Sequence, residues 1–296
     1  MQTIESLKKQ IESAEDLESI VHTMKALAAV NIRQYERAVE ALAEYMRTIE
    51  LGLQAVLQKR VKKKGRSAPH ASSRIGAVVF GSDQGMCGQL NDQIVSHTFA
   101  TLDNMNLSRD GRFLLAVGER TRVRLEDLGL EVQETFPVPG SPAGITAMVQ
   151  EMLIKIEEWY LEVELDRILL FFSKPLSGAS YRPQTVHLLP LDEKWLRKLK
   201  EKPWPTRILP TFTMEWDPLF SSLVRQYFFV SLYSAFAQSL ASENASRLAS
   251  MQGAEKNIKE RLNELVQQFH RLRQESITEE LLDIVSGFEA LTHGRG

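Results

Sequence analysis

Residues 31–56 read NIRQYERAVEALAEYMRTIELGLQAV, and their spacing decides the fold. Ile32, Tyr35, Val39, Leu42, Met46, Ile49, Leu53 and Val56 recur at intervals of three and four, the seam of a coiled coil. Upstream, Ile4, Leu7, Ile11, Ala14, Leu17, Ile20, Met24 and Leu27 keep a similar stripe, so one helix is predicted from Thr3 to about Gln58. From about Pro218 to Leu291 a second helix is predicted, with Leu248, Met251, Ala254, Ile258, Leu262, Leu265, Phe269 and Leu272 as its stripe. Small residues dominate between Ala235 and Ala254 and let a partner backbone come close, so this stretch is expected to pack most tightly. Two amphipathic helices lying on a compact core are the alternative. Single globular helices usually run about 8–20 residues, which favours the coiled coil.

Helix lengths add a second inference. Roughly 58 and 74 residues make helices of about 85 and 110 Å at the α-helical rise. If the two run antiparallel from one insert, the C-terminal helix overshoots by about 25 Å. The overshooting stretch is Ser276 to Leu291, apolar over a broad face through Ile277, Leu281, Leu282, Ile284, Val285, Phe288 and Leu291. Such a face in water is an aggregation liability, so a protein partner is expected to sheathe it.

The middle of the chain has a different texture. Ile75–Phe80, Phe113–Val117, Leu130–Phe136 and Ile168–Phe172 read as strands, with helices at about Gln89–Leu102, Glu119–Leu128 and Ile145–Tyr160 between them. That alternation predicts an α/β, Rossmann-like globular domain with a parallel sheet, inserted in a long antiparallel coiled coil of the N- and C-terminal helices. Thr185–Leu189 and Ile208–Met214 are expected as later, antiparallel strands. The predicted boundaries are 1–58 for the first helix, 59–74 for a basic linker, 75–216 for the globular domain, 217–291 for the second helix and tip, and 292–296 for a tail. The linker holds Lys59, Arg60, Lys62, Lys63, Lys64, Arg66 and Arg74 with no acid. It reads as a solvated connection, with membrane headgroups or an acidic neighbour as the other reading.

Chemistry has little purchase on this sequence. Gly81, Asp83, Gly85, Cys87 and Gly88 punctuate a turn that follows a strand and precedes a helix, as phosphate-binding loops do. A Walker loop needs Lys and then Ser or Thr after its last glycine, whereas Gln89 and Leu90 follow here, and Asp83 would repel a phosphate. A structural turn is the expectation. Cys87 would be a nucleophile only with a base nearby, and the six histidines are scattered without metal-ligand spacing. No cofactor and no metal is expected. The net charge of −2 gives no argument for nucleic acid, and the single cysteine fits a reducing compartment. No run of 18 apolar residues and no signal or transit segment is read, so a cytoplasmic protein is expected.

The residues carry a family resemblance. Ser82-Asp-Gln-Gly-Met-Cys-Gly-Gln-Leu-Asn91 resembles the Ser-Asp-x-Gly-Leu-Cys-Gly-x-Leu-Asn turn of the gamma subunits of F-type rotary ATP synthases. Arg273-Gln-Glu-Ser-Ile-Thr-Glu-Glu-Leu-Leu-Asp-Ile-Val-Ser-Gly287 is similar to the same family's C-terminal Arg-Gln-x-x-Ile-Thr-x-Glu-Leu-x-Glu-Ile-Val-x-Gly signature. Ala241-Ser-Glu-Asn-Ala-Ser-Arg-Leu-Ala-Ser-Met251 matches the Ala-Ser-Glu-x-x-Ala-Arg-x-x-Ala-Met run with Ser246 in place of one Ala, and Met24-Lys-Ala-Leu-Ala-Ala29 resembles Met-x-Met-Val-Ala-Ala. Asn31 stands where the family usually has Lys, and the insert beyond Asn91 matches weakly. These departures imply a divergent branch, and the absent transit segment favours a bacterial-type protein.

The resemblance implies a rotor shaft turning in a ring of alpha and beta subunits, with its globular foot beside an epsilon-type subunit on a membrane ring of c subunits. It also implies a peripheral position on the cytoplasmic face of a bacterial inner membrane. Carried over by motif, Arg273, Gln274, Thr278 and Glu280 fall at polar positions of the tip that bond to the ring, and Met24 and Arg247 fall near the ring's lever loops. Ile32, Tyr35, Val39, Leu42, Leu262, Leu265 and Phe269 are the coiled-coil seam. On the residues alone, a non-rotary coiled-coil tether with an α/β interaction domain remains the alternative.

Overall fold

A computed structural model describes residues 3–59, 74–105, 108, 111–176, 178–208 and 210–293, with side chains of the last helix described as far as Ser286. Residues 60–73 of the basic linker, residues 294–296 of the tail, and the side chains of Phe288 and Leu291 lie outside the described residues. The long helices are α1, Ile4–Gln58, of 55 residues, and α6, Trp216–His293, of 78 residues. The chain forms two compact units, one of Met1–Leu27 with Ala249–Gly296 and the other of Ala28–Leu248. No helix among the described residues is long and apolar enough to cross a membrane.

The larger unit holds the sheet. Its strands are β1, Ile75–Phe80, β2, Arg112–Val117, β3, Val132–Phe136, β4, Arg167–Pro175, and β5, Tyr181–Leu189, in the order β3-β2-β1-β4-β5. The first four are parallel and β5 pairs antiparallel with β4. Alternation along each strand sorts the core into two layers. Ala77, Val79, Leu169 and Phe171 face α2, Leu90–Asp103, and α3, Glu119–Asp127, through Ile94, Val95 and Leu125. Val78, Phe80, Leu170 and Phe172 face α4, Pro142–Glu162, together with Tyr35 of α1 and Leu232, Phe236 and Leu240 of α6. The long helices are therefore one wall of the domain's core.

Within this unit α1 and α6 run antiparallel. Asn31 Nδ2 lies 3.3 Å from Asn244 Oδ1, Tyr45 Oη 2.9 Å from Gln226 Oε1, and Trp216 Nε1 donates to the Val56 carbonyl at 3.0 Å. Ile49, Leu53 and Leu57 pack with Val230, Leu223 and Phe220. The small-residue stretch of α6 is buried from Ala235 to Ala237 and again from Ser239 through Ser246, whereas Ala249 is exposed. Tight packing thus ends earlier than the composition predicts.

The smaller unit is a bare helical pair. Leu7, Ala14 and Leu265 are its buried centre, flanked by Ile11, Leu262, Phe269 and Leu272. Here the predicted stripe on α1 slips by one residue. The buried positions are Leu7, Ala14 and Val21, one heptad apart, and Ala28 and Tyr35 continue the spacing along the same helix. Strict alternation of three and four then puts Glu18 and Lys25 on the seam, and Leu17, Ile20 and Leu27 are exposed at 53%, 55% and 59%. Ion pairs explain the displacement, because Lys25 sits 2.5 Å from Glu255 and Glu18 3.6 Å from Lys259. Hydrophobicity alone selects the wrong neighbours at those two turns.

Two local expectations also change. Ile208 and residues 210–214 are irregular rather than a strand, with Ile208 exposed, and Phe212 lies under Lys59 with 4.5 Å from Nζ to the ring centre. Pro210 removes a backbone donor that a ladder would need, and Pro203 and Pro205 restrict the approach to it. Helix α5, Glu193–Glu201, was not expected from the sequence. Asp192 caps it by accepting from the Lys194 N–H at 2.8 Å.

Candidate functional surfaces of the turn and the helical pair

The turn after β1 is a hydrogen-bonded junction. Gly81 N–H donates to the Val117 carbonyl at 2.9 Å, and a Cβ at Gly81 would overlap Thr121 Oγ1, so glycine is required. The Ser82 N–H reaches Asn91 Oδ1 and Thr121 Oγ1, while Asn91 Nδ2 donates to Ser82 Oγ at 2.7 Å. Asp83 ties three segments together. Its Oδ1 accepts from the Glu119 N–H at the start of α3, and its Oδ2 accepts from the Val138 N–H after β3, at 2.9 and 2.8 Å. The carboxylate that would repel a phosphate is thus committed to backbone donors, one of them at a helix N-terminus that favours negative charge. Gly118, at φ 101°, approaches the Ser82 backbone too closely for any side chain.

Cys87 is buried, with Ser82 Oγ at 3.5 Å and Asn91 Nδ2 at 3.7 Å. Burial pushes its thiol up, away from the thiolate. Gly85 lies near Arg120, and Gly88 takes φ 58° ahead of α2.

Open α/β sheets bind ligands at the carboxyl ends of their strands, where the connections diverge to either side. In this order that point lies between β1 and β4. Helix α6 fills it. Ser242 Oγ donates to the Ser173 carbonyl of β4 at 2.9 Å, and Ser246 Oγ donates to the Cys87 carbonyl at 2.6 Å. The small residues of α6 let its backbone settle across the strand ends, where its own hydroxyls bond to the sheet domain's carbonyls.

One turn along, Glu243 and Arg247 form a buried ion pair at 2.6 Å, with side chains 6% and 12% exposed. Burial pushes the Glu243 carboxyl up and Arg247 opposes the shift. Beside the pair is a cleft of about 250 Å³ lined by Asn31, Tyr35, Asp83, Gln84, Pro139 and Asn244 among others. Burial, then Glu243 and Tyr233, push the Tyr35 phenol up to about 12. Arg247 therefore has an intrachain partner.

In the smaller unit, Met24 is half-buried on α1, and Arg273, Gln274, Thr278 and Glu280 are exposed on α6. Thr278 Oγ1 bonds back to the Gln274 carbonyl at 2.8 Å. From Ile277 to Val285 the tip leaves Ile277, Leu281, Leu282, Ile284 and Val285 between 49% and 69% exposed. The seam residues Leu262, Leu265 and Phe269 belong to this unit's core, whereas Tyr35 and Val39 join the sheet's core and Leu42 packs with Ile49 and Leu53. Ile32 is half-buried. Glu18, Lys25, Glu255 and Lys259 were missed by the sequence reading. Extending the heptad from Leu7 and Ala14 would have found the first two.

A doubly wound sheet inserted between two long helices, one of which crosses its strand ends, is the class of fold this chain adopts. The ATP synthase family model matches residues 3–291. The ATP synthase gamma chain of Nautilia profundicola is 24% identical over 98% of this chain and 99% of its own length. That of Heliobacterium modesticaldum is 27% identical over 98% and 100%. Among solved structures, a chain of the Euglena gracilis mitochondrial ATP synthase (OSCP/F1/c-ring) superposes with a TM-score of 0.65 at 17% identity, covering 99% of this chain and 95% of that one. A chain of the Tetrahymena thermophila central stalk and c-ring gives 0.57 at 24% identity, covering 79% and 99%. The chain belongs to the ATP synthase gamma-chain family.

Proposed function

We infer that the chain is the central rotor shaft of an F-type ATP synthase and that it carries no catalytic site of its own. It turns inside an alpha/beta hexamer, rests with an epsilon-type subunit on a c-subunit ring, and lies peripherally at the cytoplasmic face of a bacterial inner membrane. Residues 1–58 and 217–291 act as shaft and tip, with 75–216 as the foot. Met24, Arg247, Arg273, Gln274, Thr278 and Glu280 are its contacts to the hexamer. Because Arg247 already pairs with Glu243, its contact to the hexamer would be made as part of that pair. A shaft shifts a catalytic site only by contacting its conformers differently, so the contact surface must be asymmetric around the ring.

The observation that carries this reading is the tip. Five large apolar side chains exposed on nine residues of helix need a sleeve. Truncation after Gln274 removes that face and leaves the larger unit's sequence untouched. The truncated chain should keep its tryptophan fluorescence and lose affinity for isolated alpha/beta hexamer. Undiminished affinity would overturn the bearing role.

A further inference from the structure

We propose that the outward face of α5 docks on an anionic phospholipid headgroup layer. The chain as a whole carries a net charge of −2. Between Glu193 and Lys202, however, it places Lys194, Arg197, Lys198, Lys200 and Lys202 against two acids, Glu193 and Glu201, with Glu50 of α1 lining the same surface beside Lys198 and Lys202. All five cations are exposed. None of their side chains enters an ion pair among the described residues, although Glu193 and Glu201 lie one turn from Arg197. Asp192 is occupied as the helix cap.

The face is held in place from behind. Leu199 is buried, the Trp195 ring lies 5.0 Å from that of Tyr227, and Gln54 Nε2 donates to the Lys202 carbonyl at 2.6 Å. Gln58 Nε2 reaches the Lys200 carbonyl at 3.4 Å. The apolar side of α5 is therefore spent on the fold, and what it offers outward is charge without an apolar anchor.

That chemistry selects lipid over an acidic protein. Protein interfaces favour arginine and aromatic anchors at their centres and are depleted in lysine. Here four of the five cations are lysines, compact point charges on flexible stems. Such a surface suits mobile phosphates, each basic residue strengthening partition to an anionic bilayer roughly fivefold and losing that gain at high salt. The inference rests on the membrane-peripheral reading above only for where such a surface would be met.

The test uses the full-length chain in co-sedimentation with vesicles of phosphatidylcholine alone and of phosphatidylcholine with phosphatidylglycerol. Binding is expected only to the second, reversed by salt, and weakened about 100-fold by the triple variant Lys194→Gln, Lys198→Gln, Lys200→Gln. The variant's circular dichroism and its assembly with the alpha/beta hexamer should match the parent chain, which separates failure of this proposal from failure of the shaft reading. Binding to anionic vesicles that the triple variant retains, or no binding by the parent chain, would overturn it. So would loss of retention on lipid-free c-ring in detergent as the variant's only defect, which would assign the face to an acidic protein surface.

Discussion

The helical pair follows two different rules in its two units. In the larger unit, α6 presents Ala235, Ala237, Ala241, Ser242, Ala245 and Ser246, all buried, and its hydroxyls bond to backbone carbonyls of the sheet domain. In the smaller unit, the seam has few fully buried side chains and gives Glu18, Lys25 and Glu255 places along it. Fully burying a large aliphatic side chain is worth about 1.5–3 kcal/mol, and an exposed ion pair about 0–1 kcal/mol. The first unit is therefore held by close packing. The second depends on Leu7, Leu265 and their flanks, with charge choosing the register, and it leaves apolar residues facing outward.

The buried ion pair is where the first rule is most easily broken. Glu243→Ala leaves the Arg247 guanidinium buried without its carboxylate, and losing one partner of such a pair costs about 3–5 kcal/mol. Replacing both, Glu243→Leu with Arg247→Met, should recover most of that, because apolar substitutes of similar volume are often neutral or better. All four tryptophans, Trp159, Trp195, Trp204 and Trp216, belong to the larger unit. Denaturant unfolding followed by their fluorescence should show the single variant shifted and the double restored. A single variant as stable as the parent would remove the pair from the account of how α6 is held.

The second rule is tested at Leu265, 3% exposed in the smaller unit. Proline there deletes a helix hydrogen bond, clashes with the preceding turn, and costs about 3 kcal/mol or more. Leu265→Met keeps volume and should cost under about 1.5 kcal/mol. Proline should lower helical circular dichroism while tryptophan fluorescence stays unchanged, the reverse of the Glu243 result. In reconstituted vesicles it should reduce ions pumped per ATP hydrolysed, because a kinked shaft does not hold its angle under load. A proline variant that assembles and pumps at the normal ratio would show that this segment carries no torque.

The same contrast explains what was legible in the sequence. The four parallel strands and the helices between them were readable because Ile75–Phe80 and Ile168–Phe172 are continuous apolar runs, as strands buried on both faces must be. Helix α5 was obscured because its apolar positions number only three, Trp195, Leu196 and Leu199, and every other residue in it is charged. The slip on α1 has another cause: Leu17 and Glu18 both offer a plausible step from Ala14, and only Lys259 on the distant helix chooses between them. The turn's role as a junction could be argued from its missing Lys-Ser/Thr. That α6 fills the crevice beside it depends on where the long helix lies, which no local pattern encodes.

The smallest effect lies in the charge cluster of the smaller unit. Glu255, bonded to Lys25 and Lys259, has its carboxyl lowered from 4.5 to about 2. The folded pair thus prefers the carboxylate, so this contribution is fully present above about pH 4.5 and is lost as pH falls towards 2. Lys25→Glu would set two acids face to face. Combining Lys25→Glu with Glu255→Lys would restore an opposite-charge contact between the two helices, while setting the introduced ammonium beside that of Lys259. Amide protection along α6 from Ala254 to Leu265, taken relative to the intrinsic rate at each pH because amide exchange is base-catalysed and itself slows in acid, should therefore fall at acid pH in the parent chain, show little further acid dependence in the single variant, and lie between the two in the swap. The size of the change is that of a solvent-screened pair, and raised salt should shrink it. Protection in this stretch that ignores pH between 5 and 2 in the parent chain, while Leu265→Pro still lowers it, would mean the seam charges are passengers and Leu7 and Leu265 alone set the register.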